Sequence, residues 1–149
     1  MKINQVSVFI ENKPGNIATV CRTLADAGIS IITFSMSDTQ QFGILHLIVA
    51  EYNQAYETLK SAGFPVRLDD VVVVEIHEKI GGLADVLDVL AKKSVNIEYM
   101  YAFTFRTSNI AMMVFRFDDT DHAIRVLNDQ KIGITDWETL CDRHKNATK

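Results

Sequence analysis

The sequence predicts an α+β protein built from two copies of one βαββαβ unit. Two observations carry this prediction: an internal repeat, and hydrophobic periodicities that switch between strand and helix spacing in the same order in each copy. A constant offset of 66 positions aligns the copies from the first strand to the third. It pairs Val8 with Val74, Ile10 with Ile76, Lys13 with Lys79, Gly15 with Gly81, Ala18 with Ala84, Val20 with Val86, Leu24 with Leu90, Ala25 with Ala91, Ile31 with Ile97 and Ile44 with Ile110.

The first copy reads as strand, helix, strand, strand, helix and strand. Strands alternate apolar and polar residues, helices carry apolar residues at a spacing of three to four, and Gly28 and Gly63 are typical helix ends. A polar hairpin connection at 38–41 separates the second and third strands. The predicted elements are Ile3–Ile10, Asn16–Ala27, Ile29–Ser37, Phe42–Val49, Asn53–Ala62 and Phe64–Leu68.

The second copy repeats this order, and Asp69-Asp70 is the one polar break between the copies. The offset between the copies becomes 68 positions in their second helices, so one connecting loop differs in length between the two copies. A capping box, Thr135-Asp136-Trp137-Glu138, predicts a short last helix. The predicted elements are Val71–His77, Leu83–Lys93, Val95–Phe105, Ser108–Phe117, Thr120–Asn128 and a strand near Ile134. The predicted division is residues 1–68, 69–136 and a C-terminal helical tail, 137–149.

A βαββαβ order is the ferredoxin-like pattern, in which an antiparallel four-stranded sheet carries both helices on one face. The sequence therefore predicts two ferredoxin-like units with antiparallel sheets. This pattern specifies a fold, and the function has to be read from particular residues.

Composition narrows the function classes. The chain has 149 residues, 48% of them hydrophobic and 23% charged, and two prolines, which is typical of compact globular proteins. A net charge of −4 with no basic run argues against nucleic-acid binding. No apolar run approaches the roughly 20 residues of a membrane-spanning helix. The N-terminal residues lack the pattern of a secretory signal, so we expect a cytoplasmic protein that does not bind membranes.

No cofactor or metal is expected. Cys21 and Cys141 lie far apart and form no CxxC pattern. The four histidines have no carboxylate or cysteine partner at metal-ligand spacing. No nucleophile elbow, P-loop or paired-carboxylate motif marks a catalytic site.

Aromatic residues on the strands of the second copy predict a partner surface. Helices cover one face of a sheet, and an exposed aromatic stripe on the other face would be adhesive. A second copy of the same chain, related by a two-fold axis, is the expected cover, so a homodimer is predicted. The residues assigned to this face are Tyr99, Tyr101, Phe103, Phe105, Phe115 and Phe117.

The segments between first strand and first helix are the clearest candidate sites: Glu11–Ile17 and His77–Leu83. A helix start leaves unpaired N–H groups and a partial positive charge, and a glycine there allows an anion to approach the backbone. Pro14 suits the first turn, since its fixed φ fits a helix entry. The alternative is that Pro-Gly and Gly-Gly only turn the chain.

At these residues the sequence resembles the ACT domain family of small-molecule-binding regulatory modules. Glu11–Ile17 is similar to the family's motif of a polar pair, a variable residue, Pro-Gly and an aliphatic helix start. The second loop has Ile80 where proline is usual and Glu78 where Asn or Asp often occurs. The resemblance implies amino-acid binding near an interface between modules. The ligand-binding residues that it implies are Asn12, Lys13, Pro14, Gly15, Asn16, Ile17, Ser35, Glu78, Ile80, Gly81, Gly82 and Leu83.

The sequence thus predicts a non-catalytic regulatory or sensor protein that binds an amino acid and acts on a partner protein. The ligand's carboxylate would lie on the N–H groups near Gly15–Ile17 and its ammonium group near Asn12. Three alternatives stay open. An acylphosphatase-type enzyme would need an Arg in a phosphate-binding loop, where this chain has Lys13 and Lys79. An RNA-binding module would need basic neighbours for its aromatic residues. A purely structural or interaction module would need no ligand.

Overall fold

The computed structural model describes residues 1–38, 41–103 and 109–147 and confirms the predicted order of elements. Phe105 and Ser108, at the ends of two predicted strands, lie outside the described residues. The elements are β1 (Ile3–Glu11), α1 (Asn16–Asp26), β2 (Ile31–Asp38), β3 (Phe42–Val49), α2 (Tyr52–Ser61), β4 (Val66–His77), α3 (Gly82–Lys92), β5 (Ile97–Ala102), β6 (Ile110–Phe117), α4 (Thr120–Asp129), β7 (Ile134–Thr135) and α5 (Trp137–Ala147).

The chain forms two compact units. The N-terminal unit comprises Asn4–Asp69, and the C-terminal unit comprises Met1–Ile3 with Asp70–Lys149. No helix among the described residues is long and apolar enough to cross a membrane.

In the N-terminal unit the strand order is β2-β3-β1-β4. β1 and β3 are antiparallel, with Val8 opposite Leu45 and Ser7 opposite His46. Alternate residues of a strand point to opposite faces, so one face packs with both helices. The buried core on that face is Val6, Val8, Ile10, Val20, Leu24, Ile29, Leu45, Leu47, Val49, Ala55 and Leu59.

The C-terminal unit repeats this arrangement, with the strand order β7-β4-β6-β5. Val73 lies opposite Val114, which lies opposite Tyr101 on β5. The core between the sheet and α3 and α4 is Val72, Val74, Ile76, Val86, Leu90, Val95, Phe115, Phe117, Ala123, Val126 and Leu127.

The assignment of Phe115 and Phe117 to the aromatic face is wrong. Both side chains are fully buried in the core beneath the helices, where their rings stack with centroids 5.6 Å apart. Directly opposed residues in a sheet share a face, and Phe115 lies opposite Val72 and Met100. Tyr101 lies opposite Val114 and therefore projects from the other face.

The two units divide between Asp69 and Asp70, at the predicted polar break, although β4 continues through it as one strand of 12 residues. The Asp69 side chain is buried and accepts a hydrogen bond from the Ser7 hydroxyl, with 2.7 Å between the oxygens. It also pairs with Arg67, whose Nε lies 2.8 Å away. A buried carboxylate with these partners does not interrupt a strand.

The last helix is present, but its cap differs from the predicted box. The Asp136 carboxylate accepts a hydrogen bond from the Thr139 N–H at 2.8 Å, so Asp136 is the capping residue. This bond lowers the pKa of Asp136. The Thr135 hydroxyl instead donates to Glu75 on β4 at 3.0 Å, because Thr135 still belongs to β7.

Candidate functional site

The first loop makes a tight turn into α1. Gly15 has a φ of 90°, a left-handed conformation that favours glycine, and immediately precedes the helix. The Asn16 N–H donates to the Lys13 carbonyl at 3.3 Å, and the Thr19 N–H donates to the Gly15 carbonyl at 2.9 Å. A Cβ at Gly15 would meet open space. The backbone of this loop is therefore accessible from outside.

The second loop has the same backbone geometry. Gly81 has a φ of 82° and precedes α3. The Gly82 N–H donates to the Lys79 carbonyl at 3.0 Å, and the Asp85 N–H donates to the Gly81 carbonyl at 2.8 Å. Each of these bonds matches one in the first loop at the offset of 66 positions. The repeat thus reproduces a complete turn as well as a sequence pattern.

Both helix starts carry amide groups that could bind an anion. Within the described residues, no backbone carbonyl accepts a hydrogen bond from the N–H of Ile17 or Ala18. The same is true of the N–H groups of Leu83 and Ala84 at the equivalent positions. The first turn of α1 contains no acidic residue, whereas that of α3 contains Asp85. A carboxylate there opposes an approaching anion, so the first loop is the better anion site.

The predicted residues of the first loop are brought together and are mostly exposed. Asn12 Nδ2 lies 3.4 Å from an oxygen of Asp38, at the end of β2. Lys13 pairs with Glu11, and Asn16 Nδ2 donates to the Glu11 carbonyl at 2.8 Å. Pro14 and Ile17 are exposed. An amide, a cation and free backbone N–H groups therefore share one accessible turn.

Ser35 does not join this group within its own unit. It lies opposite His46 in the interior of β2, three residues before Asp38. At about 3.3 Å per residue, that places it roughly 10 Å along the strand from the loop. Ser35 can therefore contact only a ligand that is held by the loop of another module.

The predicted residues of the second loop have divergent environments. Glu78 and Gly81 are exposed, and Ile80 is fully exposed at 105% of its reference area. Gly82 is buried, and a Cβ there would lie 2.1 Å from the His77 carbonyl oxygen. Gly82 is therefore required for close packing of α3 against the end of β4. Leu83 packs against the core of its unit.

Beside each loop lies a cavity, and the two occupy equivalent positions in the repeat. The one in the N-terminal unit, of about 340 Å³, is lined mainly by apolar side chains: Phe9, Ile10, Phe42, Phe64 and Pro65, with Glu11 and Asn16. The one in the C-terminal unit, of about 210 Å³, has a charged lining that includes Glu75, Lys79, Asp85 and Lys131. Sequence reasoning missed both cavities, although the offsets of 66 and 68 align their linings.

The N-terminal unit also contains a buried polar cluster that sequence reasoning missed. His46 Nδ1 lies 3.0 Å from both Gln5 Nε2 and Ser7 Oγ, and Ser7 donates to Asp69. Burial lowers the pKa of His46, an effect that the Asp69 carboxylate opposes. The equivalent positions in the second copy are apolar: Val71, Val73 and Met112.

Among the described residues, no group of three or more His, Cys, Asp or Glu side chains could hold a metal ion.

Comparison with known proteins identifies the family of this fold. The crystal structure of protein BT0572 from Bacteroides thetaiotaomicron is 36% identical, covers 94% of this chain and 96% of that one, and has a TM-score of 0.87. The regulatory subunit of aspartate kinase from Thermus flavus is 21% identical over 85% of this chain and 90% of that one, with a TM-score of 0.59, a likeness of fold. No curated protein matches the chain. The sequence model of the ACT domain pair matches residues 1–142, and the chain therefore belongs to the ACT domain pair family.

Proposed function

We propose that the chain is a non-catalytic regulatory protein that binds a free amino acid at the first loop. The observation that carries this proposal is the open turn at Gly15, where the amide groups of Ile17 and Ala18 have no acceptor among the described residues. A carboxylate can approach these amides because Gly15, two residues before Ile17, has no side chain. The first turn of α1 contains no acidic residue, which further favours the binding of an anion there.

The other polar groups of the loop suit the rest of an amino acid. Asn12 offers an amide oxygen to the ammonium group, and the Asp38 carboxylate lies 3.4 Å from the Asn12 amide nitrogen. Lys13, which pairs with Glu11, adds a cation to the same turn. A strand of a second module, carrying a residue such as Ser35, would complete the pocket around the ligand's side chain. We extend to this chain the regulatory role that the Thermus flavus subunit has by name.

A thermal-shift screen against the twenty amino acids tests this function. A ligand at one hundred times its dissociation constant adds about 2.7 kcal/mol to the free energy of unfolding, because it binds only the folded state. We expect one or a few amino acids to raise the melting temperature. If none of the twenty does so at millimolar concentration, the proposed function is refuted.

Gly15→Val should abolish this binding, since the branched side chain would cover the amides at the start of α1. Gly81→Val is the matched control: it imposes a similar left-handed strain, about 1–2 kcal/mol, in the second loop. We expect calorimetric titration to show binding by the Gly81 variant and none by the Gly15 variant, with both folded by circular dichroism. Equal loss of binding in both would contradict the assignment to the first loop.

We further propose that the chain is a homodimer whose interface includes the face of β5 that carries Tyr99 and Tyr101. Tyr101→Glu would bury an unpaired charge there and should shift the protein to a monomer, measured by light scattering at micromolar concentration. Phe115→Glu is unsuitable as a test because Phe115 lies in the core and the change would unfold the unit. A mass of one chain for the unmodified protein would overturn this part of the proposal.

A further inference from the structure

The cavity of the N-terminal unit is lined by aromatic rings. Three connections meet there at one end of the sheet: the first loop, the entry to β3 and the turn from α2 to β4. Each of three phenylalanines comes from a different element: Phe9 from β1, Phe42 from the start of β3 and Phe64 from the turn after α2. The volume, about 340 Å³, is typical of small-molecule sites, which are lined mainly by apolar and aromatic side chains. The cavity is therefore suited to an apolar group.

Backbone hydrogen bonds fix the walls of this cavity relative to one another. The Phe9 N–H donates to the Pro65 carbonyl at 2.9 Å, which ties β1 to the turn after α2. The Asn12 N–H donates to the Gln41 carbonyl at 3.2 Å, which ties the first loop to the residue before β3. The three connections thus form one structure, and the rings that they carry are held at fixed positions.

The cavity adjoins the anion site of the first loop. Asn16, the first residue of α1, lines the cavity. The next residue, Ile17, carries one of the two amides that have no acceptor among the described residues. An amino acid that placed its carboxylate on these amides would have its side chain beside the cavity.

The charged groups around the cavity already have partners. Glu11, the one charged residue of the described lining, pairs with Lys13. Arg67 lies over the Phe9 ring, 5.4 Å from its centroid, and pairs with the buried Asp69 at 2.8 Å. A charged ligand side chain would lose hydration in the cavity without gaining an unpaired counter-charge from these groups. The lining thus favours an uncharged side chain.

The aromatic lining is particular to the N-terminal unit. Strand register and the bonds of the turns place Glu75, Ile110 and Ile132 at the equivalent positions of the C-terminal unit. None of these is aromatic. Phe42 is 56% exposed, so a ligand's ring could cover it. Aromatic rings attract one another in offset or edge-to-face arrangements, beyond the effect of the area that they bury.

We propose that the ligand of the first loop is an aromatic amino acid such as phenylalanine, and that Phe42 and Phe64 determine this selectivity. This inference rests on the proposed function, because the first loop must hold the carboxylate and the ammonium group. The ring would enter the cavity, contact Phe9 and Phe64, and cover the exposed side of Phe42. The strand of a second module would then close the outer side of the pocket.

Calorimetric titration of the full chain with phenylalanine, leucine, alanine and aspartate tests the selectivity. We expect phenylalanine to bind more tightly than alanine or aspartate by about tenfold or more, since filling an apolar pocket discriminates on this scale. Its advantage over leucine should be roughly fivefold, from contacts between rings.

Phe42→Ala should weaken phenylalanine binding by about tenfold, because it removes one wall of the cavity. Phe34→Ala is the matched control: Phe34 lies on the neighbouring strand β2, is exposed to a similar degree, 58%, and does not line the cavity. It should leave binding unchanged. Phe42→Leu keeps an apolar wall without the ring and should reduce the preference for phenylalanine over leucine. Circular dichroism verifies that each variant is folded.

The selectivity is overturned if phenylalanine binds no more tightly than leucine or alanine. It is also overturned if Phe42→Ala and Phe42→Leu both bind phenylalanine as the parent does. In either case, binding of another amino acid that Gly15→Val abolishes would leave the proposed function standing. If none of the twenty amino acids binds, the proposed function fails and the selectivity fails with it.

Discussion

Gly82→Ala should lower the free energy of unfolding by about 3 kcal/mol, the upper end of the usual cost of overpacking. The added methyl group would lie 2.1 Å from the His77 carbonyl oxygen, and a backbone atom cannot rotate away as a flexible side chain can. The start of α3 would have to separate from β4, which would loosen the packing of Val86 behind it. Chemical denaturation monitored by Trp137 fluorescence measures the loss.

Gly81→Ala is the control for this prediction, because the two glycines are adjacent but have different roles. A Cβ at Gly81 meets open space, so the variant suffers only the left-handed strain of its φ of 82°, about 1 kcal/mol. In the first copy Asn16 occupies the position of Gly82 and its side chain bonds to the Glu11 carbonyl. Equal destabilisation by the two alanines would show that close packing does not explain Gly82.

The N-terminal unit should lose stability as the pH falls through about 6.5. Burial lowers the pKa of His46 in the folded state below its unfolded value of 6.5, so the unfolded chain binds the proton more readily. The contribution of neutral His46 is complete above pH 6.5 and declines as the pH falls toward the lower folded pKa. The limiting slope for one proton is about 1.4 kcal/mol per pH unit.

Urea denaturation between pH 8 and pH 5, compared for the parent and for His46→Gln, measures this dependence. The glutamine variant should be less stable at pH 8 and should have a flatter profile, because its side chain does not titrate. His77→Gln is the control, since His77 is exposed at the end of β4. A parent profile that is flat from pH 8 to pH 5, or one that His46→Gln leaves unchanged, would contradict this account of the cluster.

The loops were predictable because their geometry is local. Gly15 and Gly81 align in the repeat, and both adopt a left-handed conformation. The tight turn formed with their immediate neighbours is what requires this conformation. The charge difference between the loops is also local, since Asp85 occupies the first helical turn where the first copy has Thr19. Such features follow from neighbours three or four residues apart.

The buried polar cluster and the charged cavity were not predictable because their members are distant in sequence. Ser7 reaches His46 across 39 positions and Asp69 across 62. Glu75 meets Arg143 from the last helix, and Lys131 enters the cavity from a turn after α4. Strand register and helix packing bring these groups together, and the sequence pattern carries no signal for either.

By itself the sequence determined the two-copy architecture, the order of elements and the two loops, since periodicity and turn residues act over a few positions. The tertiary structure decided which apolar residues the helices cover and which polar groups they bring into contact. Phe115 and Tyr101 show the difference. The sequence pattern assigned both to one face, whereas the strand register sets Phe115 opposite Met100 and Tyr101 opposite Val114, on opposite faces of the sheet. Packing against α3 and α4 then buries the phenylalanine, because burial depends on what another element covers.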